Sequence, residues 1–341
     1  MLKRLKNGGV YNSGSCILIL TGFLILSVLA AVRIGSASLS WRQFFGGLFR
    51  ADGYAVQAAI IYGVRLPRIC GAVVAGMGLS VSGVILQSIT GNELAAPNII
   101  GVNAGAGFAV ILILAMFPDM AVISPVFAFC GAFFTTVIIL AVAAKTGGSN
   151  SNVILTGVAF TALLNAGISF ISMLDSDVLA SYSYFSVGGL SGVRLRELVF
   201  PIGLIIVSFL FALLLSPRID TLALGDGAAA ALGINVKALR IICVMIASAC
   251  AASAVSFAGL LGFVGLIVPH ISRTFVGSSM RKLLPVAAIM GSTLVVIADL
   301  IGRTLFAPTE IPVGIVMAMI GAPFFFWLLL RKIQFISCIG R

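Results

Sequence analysis

The stretch RLPRICGAVVAGMGLSVSGVILQ, residues 65–87, opens on two arginines and then runs to Gln87 without another charge. An uncharged apolar run of this length matches the ~20 residues an α-helix needs to cross the hydrocarbon core of a bilayer. Ala72, Gly76, Ser80, Gly83 and Gln87 recur at steps of three and four, so a helix carries them on one face. Small residues along a face let another helix approach closely. The stretch therefore reads as a membrane helix, with Arg65 and Arg68 at its mouth and Pro67 suited to its first turn.

The rest of the chain repeats this pattern. Of 341 residues, 60% are hydrophobic and 9% charged, and the mean hydropathy is +1.20. Soluble domains carry about 25% charged residues to cover their outside. A polytopic membrane protein is the reading that fits. Hydropathy and punctuation mark ten candidate spans, near 15–33, 67–90, 98–117, 122–144, 153–174, 197–215, 238–257, 260–276, 283–302 and 312–330. Ten spans put both ends on one side. If that side is the cytoplasm, it receives thirteen of the 21 basic residues, including all six lysines, which satisfies the positive-inside rule. The net charge of +11 is thus a topology signal rather than a nucleic-acid stripe. Lys3, Arg4 and Lys6 before an apolar run resemble a signal peptide, but the run over 16–32 is long and reads as the first membrane helix. With no fixed-period repeat and no dividing linker, residues 1–341 read as one membrane domain.

Chemistry is sparse. The six cysteines show no CxxC and have no nearby histidines, so they suggest packing rather than zinc or disulfides, and no cofactor is expected. Walker and GxGxxG patterns are missing, and a single histidine allows no Ser/His/Asp or HExxH grouping, which disfavours an intramembrane enzyme. Energy for uphill transport would have to enter through another chain. Only Asp299 looks well embedded, with Arg303 one helical turn on as a possible ion partner. An ion-coupled carrier would want more mid-span acids than one. His270, following Pro269 within a span, reads as structural.

Three further features stay open on residues alone. Thr161, Asn165, Ser169 and Ser172 give the fifth span one polar edge, which either lines a watery path or bonds to another helix. Arg65 and Arg68, with no acid in the adjacent sequence, either receive carboxylates from a partner protein or anchor at lipid headgroups. Residues 35–64 and 175–196 are long enough for short interfacial helices on the external side. The largest internal excursion contains LALGDGAAAALGINVKALR (222–240). There Asp226 can cap a short helix over 228–232, Gly233 can end it in a left-handed turn, and Asn235 can cap the next. Two short helices at an angle would make a rigid knob, suited to a groove in a soluble motor or else an inert loop.

These stretches, with NELAAPNIIGVNAGAG (92–107), GLLGFVGLIVPHISR (259–273) and ADLIGRTLFAPTEIPVGIVMAMIGAPFFFWLLL (298–330), resemble the FecCD family. Its members are permease subunits of binding-protein-dependent ABC importers for iron-siderophores, haem and vitamin B12. The resemblance implies an all-α fold of ten transmembrane helices, that of type II ABC importer permeases, in the inner membrane of a bacterium or archaeon with both termini cytoplasmic. It also implies a homodimer around a central path, two ATP-binding ABC subunits beneath, and an extracytoplasmic substrate-binding protein docking outside. By the family's motifs, Arg65, Arg68 and Arg303 receive glutamates of the binding protein. Leu224, Gly225, Asp226, Ala230, Leu232 and Gly233 belong to the coupling segment, about 217–240, seated in a cleft of the ATPase. The edge Thr161, Asn165, Ser169 and Ser172 lines the path, while Asn92 and Leu94, with Asn150 and Ser151, belong to cytoplasmic gates. Where the family reads NPLA this chain reads NELA, so Glu93 replaces a proline and adds a charge near the exit. An iron-siderophore is the cargo the resemblance favours, with haem and cobalamin as alternatives.

Overall fold

The computed structural model describes residues 13–35, 39–145 and 150–339. Lys3, Arg4, Lys6 and Arg341, counted above toward topology, lie outside them. In chain order the helices are α1 (Ser13–Arg33), α2 (Trp41–Leu48), α3 (Ala55–Ala59), α4 (Leu66–Thr90), α5 (Val102–Met116), α6 (Ser124–Lys145), α7 (Asn150–Leu174), α8 (Ser176–Val187), α9 (Leu195–Leu222), α10 (Asp226–Ala231), α11 (Val236–Ala258), α12 (Val264–Val276), α13 (Met280–Thr304) and α14 (Val313–Ile339). No strand occurs among the described residues.

Each expected span coincides with a helix. Seven apolar helices are long enough to cross a bilayer, whereas α5, α12 and the apolar 313–328 part of α14 are shorter. At 1.5 Å per residue, the 13 residues of α12 rise only ~20 Å, against a hydrocarbon core of ~30 Å. Length alone therefore supports seven crossings.

At the centre stands α4, which packs against α13, α11, α12 and α9. Its small face makes this possible. A Cβ on Gly76 would fall on the carbonyl of Gly291 in α13, and one on Gly83 on the carbonyl of Gly265 in α12, both far inside contact distance. Ser292 Oγ donates to Val73 O at 2.8 Å across the same seam. Backbones this close gain dispersion contacts along their whole length, which is what holds helices together where lipid removes the hydrophobic driving force.

The helix before α4 differs from the sequence reading. Pro67 does lie in the first turn of α4, but the chain is already helical from Ala55 onward and passes through a π-helical turn at Ile60–Arg65. There the Leu66 N–H reaches back to Ile61 O, a five-residue step. The wider turn hands the chain to α4 where Pro67 has no N–H to give. The two stretches expected to hold short helices do so, with α2 and α3 in the first and α8 in the second. Ser40 and Gln43 cap α2 reciprocally, at 3.3 and 3.0 Å, and Asp175 caps α8.

Candidate functional site

Two sites lie at opposite ends of α4. At its start, three guanidinium groups from distant parts of the chain converge: Arg65 and Arg68 precede or open α4, and Arg303 closes α13, which runs antiparallel to it. All three are buried, at 2–6% exposure. Asp299 lies between two of them, 2.8 Å from Arg68 Nε and 3.1 Å from Arg303 Nε. Arg68 also donates to Glu310 Oε2 at 2.5 Å and to Ser191 Oγ at 3.2 Å. Arg65 donates to the carbonyls of Val32 and Arg33, at 2.8 and 2.5 Å, and Arg303 to Ala31 O at 3.1 Å.

The charges decide what this cluster can do. Three cations face two carboxylates, and the surplus positive charge meets the C-terminal carbonyls of α1, which carry the negative end of a helix dipole. Asp299, 1% exposed, is fixed between its partners. Glu310 is the accessible acid of the two, its side chain 29% exposed, and it pairs with Arg68. Sequence reasoning found the three arginines and the Asp299–Arg303 pair but not Asp299 as a partner of Arg68, nor Glu310, Ser191 and the end of α1. Asp299 and Glu310 lie 231 and 242 residues from Arg68, so no local spacing signals the contacts.

Across a cavity from the other end of α4 lies the stretch 222–240. Among its residues Leu224 and Leu232 are 68% and 64% exposed, and Gly225, Asp226, Ala230 and Gly233 are exposed too, while Ala229 anchors the segment from beneath. One detail corrects the sequence reading: the N-cap of α10 is Gly225, and Asp226 makes no cap. Its carboxylate is drawn instead to Arg240, 2.7 Å away in α11, an ion pair that a lone cap hydrogen bond does not outcompete. The other end follows expectation. Gly233 adopts φ +81°, with its N–H on Ala230 O and that of Ile234 on Ala229 O, and Asn235 caps α11 through the N–H of Ala238 at 3.0 Å. The result is a stubby projection braced by a salt bridge.

Beside it lies the loop after α4. Asn92 Oδ1 accepts from the Leu94 N–H at 2.9 Å and Asn92 O from the Ala95 N–H at 3.1 Å, so one side chain shapes the turn. Glu93, half exposed, points its carboxylate to within 3.9 Å of His270 Nδ1. A polar cavity of about 380 Å³ separates loop and projection, with Gln87, Glu93, Asp220, Gly225, Arg240 and Arg273 on its wall. Arg240 also borders a second, apolar cavity together with Asn92. Loop and projection thus share one arginine.

The polar edge of the fifth span falls on α7. Asn165 and Ser169 are exposed, Ser172 is partly covered and turns its hydroxyl back to Ile168 O, and Thr161 is partly covered as well. Asn150 and Ser151 open the same helix, but their side chains lie outside the described residues.

The FecCD transport family model matches residues 23–331. The Fe(3+)-citrate import system permease protein YfmE of Bacillus subtilis (strain 168) is 36% identical over 92% of this chain and 94% of its own. The hemin transport system permease protein HmuU of Yersinia pestis is 34% identical over 91% and 93%. A solved structure described as an inward-facing conformation of a metal-chelate type ABC transporter superposes with a TM-score of 0.82 at 30% identity, covering 93% of this chain and 99% of that one.

Proposed function

This chain belongs to the FecCD transport family, and from that premise we propose that it is the membrane-embedded permease subunit of a binding-protein-dependent ABC importer for ferric chelates. Siderophore complexes of iron are the favoured cargo, with haem and cobalamin as alternatives. Ten spans, three of them short, form a single transmembrane domain of the type II importer kind in the inner membrane, with both termini in the cytoplasm. The permease performs no chemistry. ATP is hydrolysed by two copies of a separate ABC subunit, and the cargo is delivered by an extracytoplasmic binding protein.

The observation that carries this reading is the braced projection Leu224–Gly233. In a chain this apolar, two exposed leucines flanking a short helix held by Asp226–Arg240 have a use as a handle that another protein grips. Force applied there reaches the loop of Asn92 and Leu94 through Arg240, which touches both cavities around it. That loop, with the start of α7, is the cytoplasmic gate.

Exposed amides and hydroxyls on α7 support a homodimer. Each polar group left against lipid tails costs several kcal/mol, so Asn165 and Ser169 need water or a second subunit beside them. Two α7 edges facing each other give a path lined by small polar groups. Outside, carboxylates of the binding protein dock on Arg65, Arg68 and Arg303, and the one reaching Arg68 exchanges with Glu310. Docking by exchange keeps the arginines paired at every stage, which avoids the cost of an unpaired buried charge.

The test uses the reconstituted importer, with its ATPase and a cargo-loaded binding protein. Changing Asp226→Ala together with Gly233→Ala is expected to leave ATP hydrolysis running while uptake per ATP falls about tenfold, because a non-glycine residue at φ +81° adds ~1–2 kcal/mol and the brace is gone. Full uptake in that variant removes the handle. Accumulation of cargo against a gradient by the chain reconstituted alone removes the ABC reading altogether.

A further inference from the structure

Helix α2 is amphipathic in the wrong sense for a water-exposed surface. Phe44 and Gly47 face the protein, Phe44 only 8% exposed, whereas Trp41, Phe45 and Phe49 on the other side are 55%, 48% and 76% exposed. These three form one aromatic strip, with ring centroids 6.0 Å apart for Trp41 and Phe45 and 6.4 Å for Phe45 and Phe49. Basic groups rim it. Arg33 stacks on Trp41 at 3.5 Å, Arg50 lies over Tyr62 at 4.5 Å, and Arg42 is exposed along one edge.

We propose that α2 lies in the membrane–water interface and seats its aromatic strip among the acyl chains just beneath anionic phospholipid headgroups, which Arg42 and Arg50 contact. Three observations name lipid as the occupant. The strip continues the outward apolar side of α1, where Leu18, Ile19, Phe23, Leu26 and Leu29 are more than half exposed. It leaves the end of one span at Arg33 and enters the next helical run at Ala55, so it stands at the level where the hydrocarbon core gives way to headgroups. Its composition, aromatic rings with arginines beside them and Asp52 the one acid between Arg33 and Arg68, is what that zone selects, since the rings sit at headgroup depth and the cations attract anionic lipid.

The consequence reaches the arginine cluster. α2 packs on α3, with Gly46 beneath Tyr54 and Gly47 against Gln57, and the Tyr62 hydroxyl donates to Leu48 O at 2.8 Å. Tyr62 belongs to the π-helical turn that ends at Arg65. A lipid-seated α2 therefore fixes the height of Arg65 relative to the membrane.

The chain has two tryptophans, Trp41 and Trp327, so Trp327→Phe leaves Trp41 as the reporter. In vesicles of phosphatidylcholine and phosphatidylglycerol, lipids brominated near the headgroup should quench Trp41 about twofold more than lipids brominated near the chain ends, given a helix seated ~5–10 Å deep. Brominated phosphatidylglycerol should quench more than brominated phosphatidylcholine, and Arg42→Glu with Arg50→Glu should abolish that preference. If Trp327→Phe does not fold, the same signal is the difference between the unaltered chain and Trp41→Phe. Quenching of Trp41 by aqueous iodide with none by brominated lipid would mean that the strip faces water or a protein partner, and the proposal fails. Equal quenching by both headgroups overturns the role given to the arginines.

Discussion

Helices α4 and α7 carry the same kind of face, small and polar residues at steps of three and four, yet the structure uses them in opposite ways. Along its apolar window the helix containing α4 is 78% buried, and α7 is 6% buried. The difference lies in which small residues each presents. On α4, Gly76 and Gly83 sit where neighbouring backbones pass, so the face is consumed by contacts with α12 and α13. On α7 the exposed positions hold Asn165 and Ser169, whose amide and hydroxyl groups offer hydrogen bonds instead, while the Thr161 hydroxyl is covered within the chain. Glycine at the crossing points marks a closed seam; amide and hydroxyl groups mark a face still open to a partner or to water.

The sharpest way to break that distinction is Gly83→Leu. A leucine there has to displace the backbone of α12 at Gly265, and no rotamer avoids the clash because the first side-chain atom already meets the carbonyl. Folded, monodisperse protein in detergent should fall to near background, while Gly203→Ala in α9, where an added Cβ meets nothing within 4 Å, should leave the yield unchanged. Equal yields for the two variants would mean that the α4 seam is loose.

Arg68→Ala tests the charged end of the same helix. It leaves Asp299 buried with Arg303 alone and takes the cation from Glu310, and removing one member of a buried ion network costs about 3–5 kcal/mol. The thermal midpoint should drop by several degrees, and Arg68→Ala with Glu310→Ala, which leaves Asp299 paired with Arg303 and removes the orphaned acid, should recover part of the loss. An unchanged midpoint in the single variant would show that water already screens the cluster.

These two sites were legible in the sequence to different depths. Hydropathy located a helix at each expected span because each is a local run, seven of them long enough to cross a bilayer, and Gly233 and Asn235 announced the end of α10 and the start of α11 because caps act within a few residues. The small face of α4 was visible as one that another helix could approach, but which helices fill it was not, since that depends on Gly265 and Gly291, about 180 and 215 residues downstream on helices it pairs with only after assembly. Glu310 was hidden for the same reason. The cap assigned to Asp226 was wrong because Arg240, fourteen residues on, folds back to compete for the carboxylate. What sequence reading recovers is bounded by contact range, and the arginine site is built almost wholly of long-range contacts.

On α7 the smallest structural effect is expected. Asn165→Leu exchanges an exposed amide for an apolar side chain of similar size on a helix that meets few neighbours, so the subunit should fold and extract like the unaltered chain, within ~0.5 kcal/mol of its stability. Function should respond where stability does not. If two α7 edges form a watery path, a leucine from each subunit at the same level narrows it and removes two hydrogen-bonding groups, and uptake in the reconstituted importer should fall severalfold with ATP hydrolysis unchanged. The comparison with α4 becomes sharper still if Asn165→Ser restores uptake, because serine returns a hydroxyl without bulk. Should Asn165→Leu instead destabilise the isolated subunit as Gly83→Leu does, α7 packs within its own chain and the open face is not open.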